Sequence, residues 1–418
     1  MTDPTQSVPA APAAAWSARQ PWPRNAGGEW LIGGQPLSQV VDSVGGTPCY
    51  LYDRARLGAR VDQLRATLPD AVRLHYAMKA NPMPALVCHM AGLVDGIDVA
   101  SRGELRVALD SGMPATRISF AGPGKSALEL QQSVAAGILV NLESFRELDI
   151  LASASAAWGL PARVAVRVNL PFELRASGMK MSGGARPFGI DAERVPEMLA
   201  AIAARGLAFE GFHLYAGSQN LRPAAIIEAQ TLSYELVLGW LDHCPAAPRT
   251  LNLGGGFGIP YTLNDTPLDI EPVAAHLERL VERARRDMPA AHLALELGRY
   301  LVGEAGLYVT RVVDRKVSRG QVFLVVDGGM HQHLAASGNF GQVMRRNYPV
   351  AINRGGAGRE TASVVGPLCT PLDLLADRAE LAVADVGDLV VVFQSGAYGR
   401  SASPREFLGH ADVAEALV

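Results

Sequence analysis

Eight apolar runs, separated by segments of helix length, occupy the sequence between residues 72 and 297. Each run is short and mostly aliphatic, which is typical of a buried strand. Strands that alternate with helices predict parallel pairing, because a parallel pair needs a long crossover connection. Eight such units predict an α/β fold, a (β/α)8 TIM-type barrel. The runs lie at 72–77, 92–99, 117–121, 137–142, 163–169, 209–215, 250–253 and 292–297.

The sequence after residue 303 has a different pattern. Runs such as LYVTRVVDRKV, QVFLVVDGG and DLVVVFQSG are joined by Gly-rich or polar turns. They predict a second, mostly antiparallel β domain, built as a barrel or sandwich. A β-sandwich without a role in the chemistry is the alternative interpretation. The expected parts are a disordered leader at 1–25, an N-terminal segment at 26–54 with a strand that joins the β domain, the barrel at 55–302 and the β domain at 303–418.

Charge and composition exclude several classes of function. A net charge of -3 without long like-charge runs argues against a nucleic-acid partner. No apolar run approaches the roughly 20 residues of a spanning helix, so we expect a cytoplasmic protein without a membrane partner. Cys49, Cys88, Cys244 and Cys369 form no Cys-x-x-Cys pair. Neither a disulfide framework nor a bound metal is therefore predicted.

Lysine is rare, and one lysine closes a predicted strand. The chain has Lys79, Lys125, Lys180 and Lys316 as its only lysines, and Lys79 stands in HYAMKAN. Active residues of such a barrel lie at the C-terminal ends of its strands. Lys79 is therefore a candidate for amine chemistry, although a lysine at a strand end is more often a solvated charge.

Other predicted strand ends carry further candidates, each with a structural alternative. Glycines 254, 255 and 256 in LNLGGGFG let backbone N–H groups approach an anion, although tight turns use the same residues. Glu296 and Arg299 in ELGRY offer a carboxylate and a guanidinium, a pair that could equally form a plain salt bridge. His213 and Tyr215 share one face of a strand ahead of Ser218, where ordinary barrel packing is the alternative.

Two loops of the β domain complete the set. They are GPLCTPLD, which contains Cys369, and SGAYG, which contains Tyr398. Taken in order, these segments resemble the fold-type-III decarboxylases that use pyridoxal 5'-phosphate (PLP), the family of diaminopimelate and ornithine decarboxylases. The resemblance runs from Pro48 to Gly399 through YAxKAN, DVAS with a following Glu (Asp98 to Glu104), GSQ, GGGxG, E-x-G-R, GPxC and GAYG.

The segment ELRASGMKMSGGARPFGI looks similar to a narrower subgroup. This subgroup includes the butirosin-pathway decarboxylase of carrier-linked glutamate and the exosortase-associated decarboxylases. The resemblance implies an enzyme that decarboxylates an amino acid, with PLP as its cofactor.

The resemblance also implies roles for single residues. Lys79 would bind PLP as a Schiff base and later return a proton, and Glu296 would hydrogen-bond the ring nitrogen. Cys369 would reach into the site of a partner subunit, which implies a homodimer with shared active sites. The implied cofactor-binding residues are Lys79, Asp98, His213, Tyr215, Ser218, Gly254, Gly255, Gly256, Glu296, Arg299 and Tyr398, and the implied substrate-binding residues are Arg299, Cys369 and Tyr398.

The chain departs from the family where the family binds its substrate. Tyr215 replaces the histidine that usually stacks on the cofactor ring, and His213 lies on the same face. Thr370 and Pro371 stand where an acid usually binds a distal ammonium. Where diaminopimelate decarboxylases place an arginine, the chain has Ala335 or Ala336. A site without these charges favours an amino acid whose distal end is capped, for example on a carrier protein.

Three alternatives stay open at this point. The first is diaminopimelate decarboxylase of lysine biosynthesis. The second is a PLP-binding regulatory homologue without turnover, which the intact Lys79, Glu296 and Cys369 argue against. The third is a barrel that binds a phosphorylated metabolite without PLP.

Overall fold

The computed structural model describes residues 22–173, 179–180, 183–262, 264–340, 342, 345–355 and 358–418. The chain forms two compact units. The β unit consists of the described residues up to Arg54 with Pro260–Thr266 and Glu304–Val418. The barrel unit consists of Ala55–Ile259 and Pro267–Gly303.

The β unit begins earlier in the sequence than expected. Trp22 is buried, its ring centroid lies 6.5 Å from that of Phe393, and Arg24 forms a β-bridge with Trp30. An indole that buries its apolar surface fixes the backbone around it, so assigning residues 22–25 to a disordered leader was wrong. The remaining leader residues, 1–21, lie outside the described residues. The elements here are β1 (Leu31–Ile32), β2 (Gln35–Pro36), α1 (Leu37–Ser43) and β3 (Cys49–Tyr52).

Eight parallel strands close the barrel unit, which confirms the predicted barrel. Their spatial order is β4-β5-β6-β7-β8-β11-β13-β14, and β14 pairs back with β4. The strands of this unit are β4 (Val72–Ala77), β5 (Gly96–Val99), β6 (Ile118–Phe120), β7 (Leu139–Leu142), β8 (Arg163–Asn169), β9 (Met179–Lys180), β10 (Ile190–Asp191), β11 (Ala208–Leu214), β12 (Gly217–Ser218), β13 (Thr250–Gly255) and β14 (His292–Leu297).

Helices connect the barrel strands, and local signals set their ends. In α5, Ser126 and Glu129 form a capping box, and Gly137 ends the helix with a φ of 73°. The second strand is shorter than predicted because Gly92 terminates the preceding helix. The helices are α2 (Arg54–Thr67), α3 (Pro84–Ala91), α4 (Arg102–Asp110), α5 (Ala127–Ala136), α6 (Phe145–Trp158), α7 (Val195–Ala204), α8 (Pro223–Leu238), α9 (Glu271–Asp287) and α10 (Arg299–Val302).

The later part of the β unit is mostly antiparallel, as predicted. Strand β15 pairs antiparallel with β3, β16 and β20, while β16 with β18 and β21 with β3 are parallel. Leu51, Leu307 and Val391 belong to the buried core beside these strands. The strands are β15 (Gly306–Ser318), β16 (Gln321–Val326), β17 (Val350–Ile352), β18 (Arg359–Val365), β19 (Leu374–Ala382), β20 (Leu389–Val392) and β21 (Ala414–Leu417).

Candidate active site at the barrel strand ends

Lys79 lies at the C-terminal end of β4, in a short 3-10 turn at Met78–Ala80. On the neighbouring strand β14, Glu296 is the register partner of His75. Parallel strands that pair in register bring their C-terminal ends to one edge. This register places the lysine and the carboxylate at the same edge of the barrel.

Glu296 binds two partners, one on each carboxylate oxygen. Lys79 Nζ lies 3.3 Å from Oε1, and His213 Nε2 lies 2.7 Å from Oε2. The side chains of His213 and Glu296 are 3% and 5% exposed, whereas that of Lys79 is 42% exposed. The lysine therefore has a buried anchor and an amine that solvent reaches, which suits a nucleophile.

The pKa of Glu296 is set by opposing influences. Burial raises this pKa. The charge of Lys79, the hydrogen bond from His213 and the charge of Arg167 lower it by more than burial raises it. The net result is a pKa well below the usual range of a glutamate. Glu296 is therefore a carboxylate at neutral pH, able to accept a hydrogen bond from a positively charged N–H donor.

Asp98 lies one strand from Lys79, since it pairs in register with Ala77. Its Oδ1 accepts from Ser119 Oγ at 2.5 Å and lies 3.2 Å from His75 Nδ1. Burial alone would lower the pKa of His75, but Asp98 raises it above the usual value. Asp98 Oδ2 is buried, and no residue of the described chain hydrogen-bonds it.

A second buried ion pair, which the sequence analysis missed, supports Glu296. Arg167 on β8 lies 2.7 Å from Glu143 Oε1, with side chains 9% and 1% exposed. Glu143 Oε1 also accepts from Gly122 N at 2.5 Å, and the charge of Arg167 lowers the pKa of Glu296. A charged residue inside the otherwise apolar run VAVRV was the available signal. Such a residue persists in a strand only when it is paired.

Close backbone contacts account for the glycine triplet. A Cβ at Gly255 would lie 1.9 Å from the Glu296 carbonyl oxygen, and one at Gly256 would lie 2.0 Å from that of Gly217. Gly254 has a φ of 69°, and its N–H donates to Asn252 Oδ1 at 2.8 Å. The triplet thus packs two neighbouring strands and already uses the Gly254 amide.

The aromatic ring of Tyr215 lies beside the lysine, with 5.4 Å between Lys79 Nζ and the ring centroid. Ser218 lies in β12, and Arg299 begins α10 directly after β14. The predicted residues of the barrel unit therefore lie at, or shortly after, the C-terminal ends of β4, β5, β11, β13 and β14.

Cys369 and Tyr398 belong to the β unit. Cys369 is exposed, and Tyr398 has a φ of 53°. The loop of Cys369 is fastened by Asp373, whose carboxylate accepts from Met330 N at 2.6 Å and from Leu368 N at 2.8 Å. Sequence reasoning missed Asp373, although it ends the quoted motif GPLCTPLD.

Comparison with known proteins identifies the class. The family model of the pyridoxal-dependent decarboxylases, for their pyridoxal binding domain, matches residues 54–303. The chain belongs to this family, and it is a PLP-dependent amino-acid decarboxylase, which confirms the expected cofactor and reaction class.

Two curated relatives cover most of the chain. The chain is 39% identical over 385 residues to the L-glutamyl-(BtrI acyl-carrier protein) decarboxylase of Niallia circulans, covering 89% of this chain and 88% of the relative. It is 29% identical over 384 residues to the 2-[(L-alanin-3-ylcarbamoyl)methyl]-2-hydroxybutanedioate decarboxylase of Staphylococcus aureus, covering 90% and 95%. The expected resemblance to a decarboxylase of carrier-linked glutamate is confirmed.

A solved structure shares the fold. The diaminopimelate decarboxylase of M. jannaschii superposes with a TM-score of 0.83 at 25% identity, covering 94% of this chain and 92% of that one.

Within the described part of the chain, no helix is both long and apolar enough to cross a membrane. The described residues also contain no group of three His, Cys, Asp or Glu side chains that could hold a metal ion.

The barrel cluster fits PLP. An exposed amine stands 3.3 Å from a buried carboxylate that is held ionised, and this pair matches the aldehyde and the protonated ring nitrogen of the cofactor. The buried Asp98 Oδ2, which lacks a partner among the described residues, provides one more acceptor.

Proposed function

We propose that the enzyme decarboxylates an amino acid whose side-chain carboxyl is joined to a larger group, with a carrier protein as the leading candidate for that group. The main structural support for this reaction class is the 3.3 Å distance between Lys79 Nζ and Glu296 Oε1. When bound, PLP supplies an electron sink for the electrons that the departing carbon dioxide leaves behind.

In this proposal Lys79 has two duties. Its Nζ would hold the cofactor covalently, and the same amine would help to return a proton to the reacting carbon. Glu296 Oε1, which Lys79 occupies in the structure, is the oxygen that would accept from the cofactor's ring nitrogen. Tyr215 would supply the aromatic face beside the ring, because His213 already hydrogen-bonds Glu296.

Backbone amides and side chains would hold the cofactor phosphate. Because Gly254 N–H donates to Asn252, we assign the amides of Gly255 and Gly256 to this role. Ser218, Arg299 and Tyr398 would add side-chain donors, and Asp98 would bind the cofactor. Arg299 and Tyr398 would also contact the substrate.

The capped substrate is supported by uncharged residues at the two departures. Thr370 and Pro371 follow Cys369 without an acid, and Ala335 and Ala336 are buried without a cation nearby in sequence. A free diamine precursor would find no partner for its distal charge, which costs affinity. Both curated relatives are named for an amino acid joined to a larger group, and this supports the same conclusion.

A substrate panel tests the proposal. We expect release of carbon dioxide from an L-glutamyl thioester of an acyl-carrier protein, with kcat/KM at least about 100-fold above free diaminopimelate, ornithine, lysine and arginine. Free L-glutamate and the L-glutamyl thioester of pantetheine separate recognition of the thioester from recognition of the protein. Brisk turnover of any free diamino acid or of arginine would refute the capped substrate.

Diaminopimelate decarboxylase is the second candidate, favoured by the shared fold with the M. jannaschii enzyme. Complementation of a lysine auxotroph distinguishes the two candidates. Growth at the rate given by an authentic diaminopimelate decarboxylase would favour this second function.

We also propose that the enzyme acts in the cytoplasm as a homodimer with shared sites, in which Cys369 protonates or shields the reacting carbon in the partner's site. Mixing inactive Lys79→Ala subunits with inactive Cys369→Ala subunits tests the sharing. Hybrid dimers contain one intact site, so about a quarter of native activity should return if the subunits exchange. No recovery after confirmed exchange would contradict shared sites.

A further inference from the structure

His213 is buried on β11 and reaches across the barrel interior. Its strand and β14 are both neighbours of β13, so the 2.7 Å bond between His213 Nε2 and Glu296 Oε2 spans an intervening strand. Both side chains are at most 5% exposed. The contact is thus a specific hydrogen bond rather than ordinary packing of an aromatic ring.

The bond also fixes the hydrogen on the imidazole. Because Glu296 is ionised, its Oε2 can only accept, so His213 Nε2 must carry the hydrogen and donate it. The other ring nitrogen, Nδ1, is buried, and no described residue hydrogen-bonds it. In this buried position, an unprotonated Nδ1 without a partner costs less free energy than a protonated Nδ1 whose N–H has no acceptor.

We propose that His213 is a positioning residue that acts through Glu296 and does not touch the cofactor ring. Its Nε2–H donates a hydrogen bond to Glu296 Oε2, and this bond orients Oε1 toward Lys79. This inference rests on the proposed role of Glu296 and replaces the expectation that His213 binds the cofactor directly.

The hydrogen bond from His213 matters because Lys79 cannot stabilise Glu296 and hold the cofactor at the same time. Lys79 is the largest favourable influence on the charge of Glu296, but it is also the residue that we propose to hold the cofactor. An amine committed to that bond cannot remain a free ammonium beside Oε1. His213 and Arg167 then remain to fix and stabilise the carboxylate, and of these two only His213 hydrogen-bonds it.

Variants of His213 separate a donor from a space-filler. Gln can place an N–H near the position of Nε2, whereas Leu fills similar volume without a donor. We expect His213→Leu to weaken PLP binding and lower kcat by about 10- to 100-fold, the range for one hydrogen bond to a charged group, and His213→Gln to restore most of both. His276→Leu removes another buried histidine, on α9, whose polar contact is Thr231, and should leave both quantities near native.

Nitrogen NMR on the cofactor-free full-length chain gives a readout independent of activity. We expect His213 to be protonated at Nε2 and not at Nδ1, and the Nε2 signal to shift in Glu296→Gln. Protonation at Nδ1, or equal kinetic and binding defects in His213→Leu and His213→Gln, would overturn the inference. Should His213→Leu fail to fold, NMR of the native chain decides. The NMR result does not depend on catalysis, so it stands apart from failure of the proposed function.

Discussion

The barrel strand ends are stabilised by one kind of contact and the Cys369 loop by another. At the strand ends, charged side chains pair with each other, as in Lys79 with Glu296. In the loop, the single carboxylate of Asp373 accepts from two backbone N–H groups. The first arrangement depends on the charge of each partner, whereas the second depends on how closely the backbone can approach.

Asp373 has little free space around it. A Cβ at Gly329 would lie 2.3 Å from its Oδ1, and one at Gly366 would lie 2.2 Å from its Oδ2. Burial raises the pKa of Asp373, and the backbone hydrogen bonds oppose that rise. Isosteric changes should therefore damage chemistry in the barrel, while small changes of volume should damage folding in the loop.

Lys79→Ala should give the largest effect on chemistry. Loss of the amine would remove the proposed bond to the cofactor and a proposed proton donor, so we expect kcat to fall by about 10²- to 10⁴-fold or more. Steady-state decarboxylation and the absorbance of bound PLP measure the two outcomes. Retention of the native cofactor spectrum would contradict the assignment.

Glu296→Gln tests charge at constant volume. The amide can still contact His213, but it leaves the ring nitrogen without an anionic partner, so we expect kcat to fall by roughly 100-fold. Urea unfolding checks that the fold persists. A variant that keeps native kcat would show that the carboxylate is only a structural partner of Lys79 and His213.

Gly366→Ala tests volume without a change of charge. Its Cβ would collide with Asp373, so we expect the free energy of unfolding to fall by about 1 to 3 kcal/mol. Gly58→Ala is the control, because nothing lies within 4 Å of that Cβ in helix α2, and it should gain about 0.5 to 1 kcal/mol. Equal stabilities of the two variants would contradict the steric interpretation of the loop.

Acid should destabilise the β unit through a neutral histidine. Burial lowers the pKa of His333 to about 3. Between that value and an unfolded pKa of about 6.5, the unfolded chain binds more protons, so stability falls as the pH falls, by up to about 1.4 kcal/mol per pH unit. Urea unfolding of the native chain and His333→Gln at several pH values measures the difference. Parallel pH profiles would contradict it.

The strands and the shared position of Lys79 and Glu296 were predictable because each depends on local pattern. Apolar runs predicted the barrel, and the rule that active groups follow strands predicted Lys79 and Glu296. The hydrogen bond between His213 and Glu296 was not predictable, because it skips the intervening strand β13 and the sequence does not show which way the imidazole points. The hydrogen bonds from backbone N–H groups to Asp373 were not predictable either. An acid in a loop sequence gives no sign that it is buried.

The order of strands in the β unit bears on how the chain is made. Strand β3 ends at Tyr52, yet its partners β15 and β21 begin at Gly306 and Ala414. In a nascent chain, β3 therefore stays unpaired until the whole barrel sequence has been made and β15 follows it. Because an open strand edge invites pairing with other chains, that strand is the segment that a chaperone would most need to shield during translation.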